Sequence, residues 1–353
     1  MRPSSEVELS ETIRTAQALR IQGGGTRGHG PGVGEVLDTI GLSGVELYEP
    51  GALTLVARAG SPLAQIDTLL ASERQRLAFE VPDLRGLLGR QGASTIGGVA
   101  AANASGPRRV QVGACRDALL GVRFVDGTGA VIKNGGRVMK NVTGYDLVKL
   151  MAGSHGALGV LTEVSFKVQA VPESEVTLMA ERDLPQGLAD LRAALGSPYD
   201  VSGAAWMQGR AMIRLEGMVG SVAYRAGKLR DLLGFEEAPN DWTAVRDVTA
   251  LAGREGAVWR LSIKPTEAAR LVEQLGLESV CDWGGGLIWL LDPSGAADVR
   301  AAVAGFGHAT LMRALPGMTE PTFAPEAPAI AALTAGLRAK FDPRGIFNPG
   351  MMG

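Results

Sequence analysis

The sequence predicts an α+β protein of roughly two domains, and three observations carry that expectation. Its 353 residues exceed the ~100–200 of one typical domain. Its 49 glycines are about twice the ~7% of average usage, and they gather at 23–34, 86–106 and 153–159, all in the first half. From Val176 the texture changes. Strand-like runs (VTLMA, MIRLEG, AVWRLSIK, LIWLL, ATLMRA) then alternate with helix-like ones (LPQGLADLRAALG, AYRAGKLRDLLG, PTEAARLVEQLG, AADVRAAVAGFG). That order suits an antiparallel sheet with helices packed on one face.

The first element to justify is "LRIQGGGTRGHGPGVG", residues 19–34. Gly23, Gly25 and Gly28 satisfy the letters of G-x-G-x-x-G, whose Rossmann form needs a helix opening at the glycines. His29, Gly30, Pro31, Gly32, Val33 and Gly34 follow, and interior Gly (~1 kcal/mol) and Pro (~3 kcal/mol) forbid that helix. Glu46 and Glu49 stand where a ribose-binding acid would, but they belong to "VELYEPGALTLVARAG", a hairpin turning at Pro50-Gly51. The Rossmann reading is therefore rejected. What remains is a strand ending in Gly23-Gly24-Gly25, either an anion-binding nest assisted by Thr26 and Arg27 or a bare glycine turn.

Ser61-Pro62 next opens a helix with the stripe Leu63, Ile66, Leu69 and Leu70. "GRQGASTIGGVAAANASG", 89–106, is almost wholly small. Its Gly92, Ser94, Thr95, Gly97 and Gly98 precede the helix-competent Val99–Asn103, so a helix N-terminus is expected to offer free N–H groups to an anion. A tight small-residue helix crossing is the alternative. "ALLGVRFVDGTGAVIKNG" is a strand pair turning at Asp126–Gly129. "TGYDLVKLMAGSHGALGVLTEVSFKV" gives a short helix, a glycine loop and an alternating strand. The polar "VQAVPESE", 168–175, is the expected domain boundary, and no internal sequence repeat is evident.

Bulk properties exclude several classes. The net charge of −2, from 35 basic and 37 acidic residues, argues against a nucleic-acid partner. The polar start "MRPSSEVELSETIRTAQ" is not a signal peptide, and no apolar run reaches the ~20 residues of a membrane span. Cys115 and Cys281 have no metal spacing and are expected as buried reduced thiols. There is no C-x-x-C, H-E-x-x-H or P-loop, so no metal site is expected and the chain reads as cytoplasmic.

Five segments carry a family resemblance: "IQGGGTRGHGPG", "GRQGASTIGGVAAANASGPRR", "CRDALLGVRFVDGTG", "KNVTGYDLVKLMAGSHGALGVLTEVSFKVQ" and "FDPRGIFNPG". Together they resemble the vanillyl-alcohol-oxidase, or PCMH-type, FAD-binding superfamily. Within it the chain is similar to the smaller FAD-binding subunits of glycolate oxidase. The resemblance implies a two-subdomain FAD-binding domain over 1–172. An α+β (ferredoxin-like) cap would cover 173–315, and a C-terminal helix and tail, 316–353, would return to the FAD domain. It assigns Gly23, Gly24, Gly25, Thr26 and Arg27 to the pyrophosphate. Gly92, Ser94, Thr95, Gly97, Gly98 and Asn103 would approach the pyrophosphate, ribityl chain and flavin. Gly159, Val160 and Leu161 would bracket the adenine side through backbone contacts, and Asn348 would return to the flavin. Where some relatives link flavin through a first-loop His, this loop has Thr26 and Arg27 with His29 beyond. Non-covalent FAD is expected. His155 stands where relatives often carry Glu.

Oxidising a 2-hydroxy acid needs a carboxylate site, a base and a flavin acceptor. Arg260 and Arg313 on cap strands are the carboxylate candidates, because a planar guanidinium binds carboxylate bidentately; structural ion pairs are the alternative. His308 is the base candidate in the cap. Trp206, Trp242, Trp259, Trp283 and Trp289 all fall in the cap, where core packing is the default. The larger subunit's "H-x-G-D-G-N" motif has no counterpart, since Ala309-Thr310-Leu311 follows His308. The chain is thus expected to act in a complex with a larger FAD subunit and an iron–sulfur subunit. A self-sufficient oxidoreductase for another hydroxy acid or alcohol and a non-catalytic assembly subunit are the alternatives.

Overall fold

A computed structural model of the chain describes residues 1–27, 33–137 and 144–351. The chain opens with helix α1 (Glu6–Thr15), which Ser5 caps by accepting a hydrogen bond from the Glu8 N–H. Two parallel strands follow, β1 (Leu19–Gln22) and β2 (Glu35–Asp38). Leu9 and Ile13 of α1 pack on Leu19, Leu37, Ile346 and Phe347, so this small layer closes only when the far end of the chain returns to it. The Leu19 N–H donates to the Ile346 carbonyl, seating the tail beside β1.

The second layer is an antiparallel sheet made of β3 (Val45–Glu49), β4 (Thr54–Arg58), β5 (Gln75–Leu77), β6 (Leu119–Val125), β7 (Val131–Gly135) and β8 (Val160–Ala170). Its order is 3-4-8-6-7, with β5 pairing the far end of β8. Both sequence-read hairpins form: β3–β4 turns through Pro50–Ala52, and β6–β7 turns at Asp126, whose carboxylate accepts from Thr128 and Ala130. Helices α2 (Leu63–Ser72) and α3 (Ile96–Ala101) cover the sheet through Ile66, Leu70, Ile96 and Val99, which meet Leu55, Phe124 and Phe166. Both cysteines are free and buried.

Between Ala170 and Ser174 the chain crosses to a separate eight-stranded antiparallel sheet. Its strands are β9 (Ser174–Glu181), β10 (Gly203–Met207), β11 (Arg210–Gly217), β12 (Glu236–Ala238), β13 (Ala257–Ile263), β14 (Glu278–Asp282), β15 (Leu287–Asp292) and β16 (Gly307–Arg313). The order 12-9-11-10-14-15-13-16 is two ferredoxin-like units back to back. The first runs β9, α4 (Leu184–Leu195), β10, β11, α5 (Val219–Leu233), β12; the second runs β13, α6 (Ala268–Leu275), β14, β15, α7 (Val299–Val303), β16. Each is a split β-α-β-β-α-β motif, and they join where β10 meets β14. The sequence showed no repeat because topology, not residue identity, is repeated. Alternation sorts the faces. Trp259, Leu261, Ile288 and Leu290 face the four helices. Met212, Val258, Leu287 and Trp289 face Leu84, Leu87 and Leu88 of the first domain. Helix α8 (Pro328–Phe341) follows, with no buried residue.

Candidate active site

The glycine segments build the site by touching one another. A Cβ on Gly24 would lie 1.5 Å from the Ala93 carbonyl oxygen, and one on Gly92 would lie 2.1 Å from the Gly24 carbonyl oxygen. A Cβ on Gly97 would meet Ala59 at 2.5 Å. The absent side chains therefore let two loops and a strand end meet backbone to backbone. The glycines face protein here, and the cleft is what their meeting leaves open.

That cleft has an empty volume of about 1090 Å³ and is walled by Arg20–Arg27, Thr95, Gly97, Gly98, Gly159 and Leu161, among others. A second cleft of about 890 Å³ lies between the first domain and the cap. The two share Arg27, Ala102 and His155 in their walls. Among the described residues neither wall includes an Asp or Glu.

The helix N-terminus expected to face an anion is real but occupied. The N–H groups of Ile96, Gly97 and Val99 donate to the carbonyls of Ser61, Ala59 and Thr95, and that of Gly98 to the Thr95 Oγ1. With its first amides taken by protein, α3 cannot serve as the anion site. The donors lie instead in the first loop: among the described residues, none accepts from the backbone N–H groups of Gly23 to Arg27. Arg27 is anchored behind them. One terminal nitrogen donates to Ser94 Oγ at 2.5 Å and to Thr26 Oγ1, and the other to the Pro82 carbonyl at 2.7 Å. Its Nε is buried without an acceptor, as is the Nε of Arg20. Burial lowers the Arg27 pKa to about 10, which leaves it charged at neutral pH. Two buried guanidinium N–H groups lacking acceptors, beside free loop amides, form a donor set that fits a dianionic pyrophosphate. The long double cleft fits the rest of an FAD.

Other sequence-assigned residues divide. Gly23, Gly25, Thr26, Arg27, Thr95, Gly98, Gly159 and Leu161 line the first cleft, with Gly24 and Gly97, and Asn103 lines the second. Ser94 holds Arg27, and Gly92 supports the loop. The Val160 side chain is fully buried in the core with Leu9 and Ile13, opposite to Leu161 along β8, which leaves only its backbone for the expected adenine contact. Asn348 is a correction. Its Oδ1 accepts from the Ile21 N–H and its Nδ2 donates to the His155 carbonyl, both at 2.8 Å. It is a buried clasp tying the tail to β1 and the 153–159 loop, while Met351 reaches the cleft. Gly28 and His29 lie outside the described residues, and with them the reading of His29.

In the cap, Arg260 lines the second cleft with Trp289, Thr310 and Met312. Burial, then the Arg109 charge, lowers its pKa to about 10. Arg313 is a correction: it donates to the carbonyls of Gly256, Leu87 and Arg254, so its fork is a structural clasp between the domains. His308 shares the Thr310 and Met312 face of β16 but is exposed, one step beyond the cleft lining. Partial burial and the Arg260 charge lower its pKa. His155, by contrast, lines both clefts, with its ring 5.2 Å from that of Phe323. Sequence reasoning missed Arg20 and Arg109. Both stand inside the glycine-rich segments, Arg20 in 19–34 and Arg109 at the end of 89–109, and which of Arg108 and Arg109 faces the cleft depends on a helix of four residues.

Comparisons with known proteins agree with this geometry. Residues 1–135 match the family model for an FAD binding domain. The chain is 36% identical to glycolate oxidase subunit GlcE of Escherichia coli (strain K12), across 98% of its own length and 95% of that protein. Glycolate oxidase subunit GlcD of Bacillus subtilis (strain 168) is 36% identical over 132 residues, 37% of this chain and 25% of that one. Among solved structures, an alkyldihydroxyacetonephosphate synthase superposes with a TM-score of 0.70 at 16% identity, covering 99% of this chain and 75% of that one, a likeness of fold alone. Identity sustained over both whole chains decides the family: this FAD-binding chain belongs to the GlcE family of glycolate oxidase subunits.

Proposed function

We propose that the chain is an FAD-carrying subunit of a glycolate oxidase complex, and that a small 2-hydroxy acid enters the cleft between its domains. The observation that carries this is the joined cleft, positive throughout and without a facing carboxylate among the described residues. The first-loop amides, Arg20 and Arg27 would hold the pyrophosphate, Gly159 and Leu161 the adenine side, and Ala102 and Asn103 the flavin end. Bound FAD supplies the two-electron acceptor for oxidation of the hydroxyl carbon.

Arg260 neutralises the substrate carboxylate from the cap side. Leu84, Met312 and Phe323 give the same wall its apolar part. The hydroxyl proton needs an acceptor within hydrogen-bond reach. Of the two described histidines, His155 lines the cleft and His308 does not, which favours His155 for that task. The larger FAD subunit and an iron–sulfur subunit are the proposed partners, in the cytoplasm, with membrane association only through them. Among the described residues no helix is long and apolar enough to cross a membrane. The exposed stripe Ile330, Leu333 and Leu337 on α8 favours a subunit over a self-sufficient enzyme.

The test is a visible spectrum of the purified chain before and after anaerobic glycolate. A flavin spectrum that bleaches supports catalysis by this subunit. One that stays oxidised places the chemistry in the larger partner, and a colourless protein refutes the flavin reading.

A further inference from the structure

Two guanidinium groups in the interdomain cleft lean on one indole. Arg109, at the start of the short helix Arg109–Val112 of the first domain, has its guanidinium carbon 4.6 Å from the Trp283 ring centroid. Arg260, on β13 of the cap, lies 5.6 Å from the same centroid and 6.0 Å from that of Trp289. The two guanidinium carbons are therefore at most about 10 Å apart, each within cation–π range of a shared ring. Both side chains line the cleft. Among the described residues no carboxylate pairs with either.

Two like charges facing one cleft repel, so something must hold them. Trp283 is built for that. Its φ is +54°, a left-handed backbone that a bulky aromatic residue rarely adopts. The conformation is fixed from two sides. The buried Asp282 carboxylate accepts the Trp283 backbone N–H at 2.7 Å, and the indole Nε1–H donates across the interface to the Gly106 carbonyl at 3.1 Å. Strain kept by surrounding bonds is characteristic of functional positions, and here the outlier itself prompts the inference.

We propose that Trp283 is a positioning residue whose ring holds Arg109 of the FAD domain and Arg260 of the cap as a two-domain clamp for a carboxylate. The ligand class, a 2-hydroxy acid, rests on the function proposed above; Arg109 and Trp283 extend its binding site. The bound anion supplies the negative charge both guanidiniums lack, so it ties the cap to the FAD domain. Trp283 itself need not touch the ligand, since its work is to keep two repelling cations converged.

The experiment uses the full chain as purified and oxalate, a dicarboxylate with no hydroxyl carbon to oxidise. Binding is read from the thermal unfolding midpoint and from perturbation of the flavin spectrum, at constant ionic strength. Wild type is expected to show a saturable rise. Arg109→Gln and Trp283→Leu are each expected to weaken oxalate tenfold or more with FAD content unchanged. Trp283→Phe, which keeps an aromatic face, is expected to stay within about threefold of wild type. Oxalate binding by Arg109→Gln that equals wild type overturns the clamp, and so does unweakened binding by Trp283→Leu. If Trp283→Leu fails to fold, Arg109→Gln decides. Failure of the two readings is distinguishable. A chain without flavin that still shows an Arg109-dependent oxalate shift loses the proposed function and keeps the clamp. A flavin-loaded chain without that shift loses the clamp alone.

Discussion

Gly24→Ala tests whether the glycine segments are needed to meet each other. The added Cβ would sit 1.5 Å from the Ala93 carbonyl oxygen and 2.5 Å from its carbon. Backbone on both sides leaves no flexible side chain to yield, so the two loops must part by roughly 1.5–2 Å to reach ordinary contact. Overpacking of this kind costs about 1–3 kcal/mol, and both partners here are backbone, which places the expected loss near the upper end. For a protein of 353 residues that is a fall in unfolding midpoint of about 3–4 °C. Parting the loops also moves Thr26 and Arg27 away from Ser94, so FAD retention should fall with stability. Gly25→Ala is the control. Its Cβ meets nothing closer than 3.5 Å, and only its φ of +70° opposes a side chain, at a cost of about 1–2 kcal/mol. Thermal unfolding and the ratio of visible to ultraviolet absorbance read the two effects. A Gly24→Ala protein with full flavin content and a midpoint within about 2 °C of wild type would refute the reasoning.

Three further outcomes follow from the same geometry. Arg27→Met removes the cation that Ser94 and Pro82 hold against the cleft; FAD affinity should fall about 10–100-fold, read by flavin release on dialysis. His308→Asn should leave glycolate turnover in the complex within twofold, because the ring stands outside the cleft lining; a hundredfold loss would restore it as the base. Glu216 has its pKa held at about 2: burial would raise it, but the charges of Arg108, then Arg214 and Arg76, outweigh burial. A carboxylate depressed on folding stabilises above its unfolded pKa near 4.5, and its contribution of about 3 kcal/mol is lost as pH falls from there toward 2. Glu216→Gln should flatten that acid limb in urea unfolding and cost about 3–5 kcal/mol at pH 7 by leaving buried arginines uncompensated.

What was legible in the sequence was whatever had a local cause. The β3–β4 hairpin and the Asp126 turn follow from residues within a few positions, and both form. The Rossmann reading fails on Pro31 and the crowded glycines alone. The positions of Arg313 and Asn348 were not legible, because each is set by partners over a hundred residues away: Arg313 reaches Leu87, and Asn348 reaches Ile21 and His155. The α3 N-terminus was legible as an element and misread in role, since the carbonyls that take its amides come from residues 59–61. Arg109 was invisible for a different reason. Adjacent residues on a short helix diverge by about 100°, and only the packed cap decides which of two neighbouring arginines it covers.

That pair shows how one face of the cap does two jobs. Arg108 turns toward the first ferredoxin-like unit, where Glu216 of β11 accepts from its Nε and terminal nitrogen at 3.0 and 2.9 Å. Arg214, two residues earlier on the same face, is 2% exposed and bonds Glu80 with both terminal nitrogens. Here the domains are locked by buried pairs between fixed charges. Arg109 turns the other way, to the second unit, whose face toward the FAD domain presents Arg260 of β13. The two units have the same topology but meet the arginines of the FAD domain differently. In one the FAD domain's arginine finds a carboxylate in the cap; in the other both domains bring a cation and the carboxylate must come from solution. A buried pair whose anion is supplied by the protein fixes the cap, whereas one whose anion is supplied by the ligand makes a site. Exchanging Arg260 for an acid should convert the second arrangement into the first, closing the cleft with a protein salt bridge and abolishing oxalate binding while the fold persists.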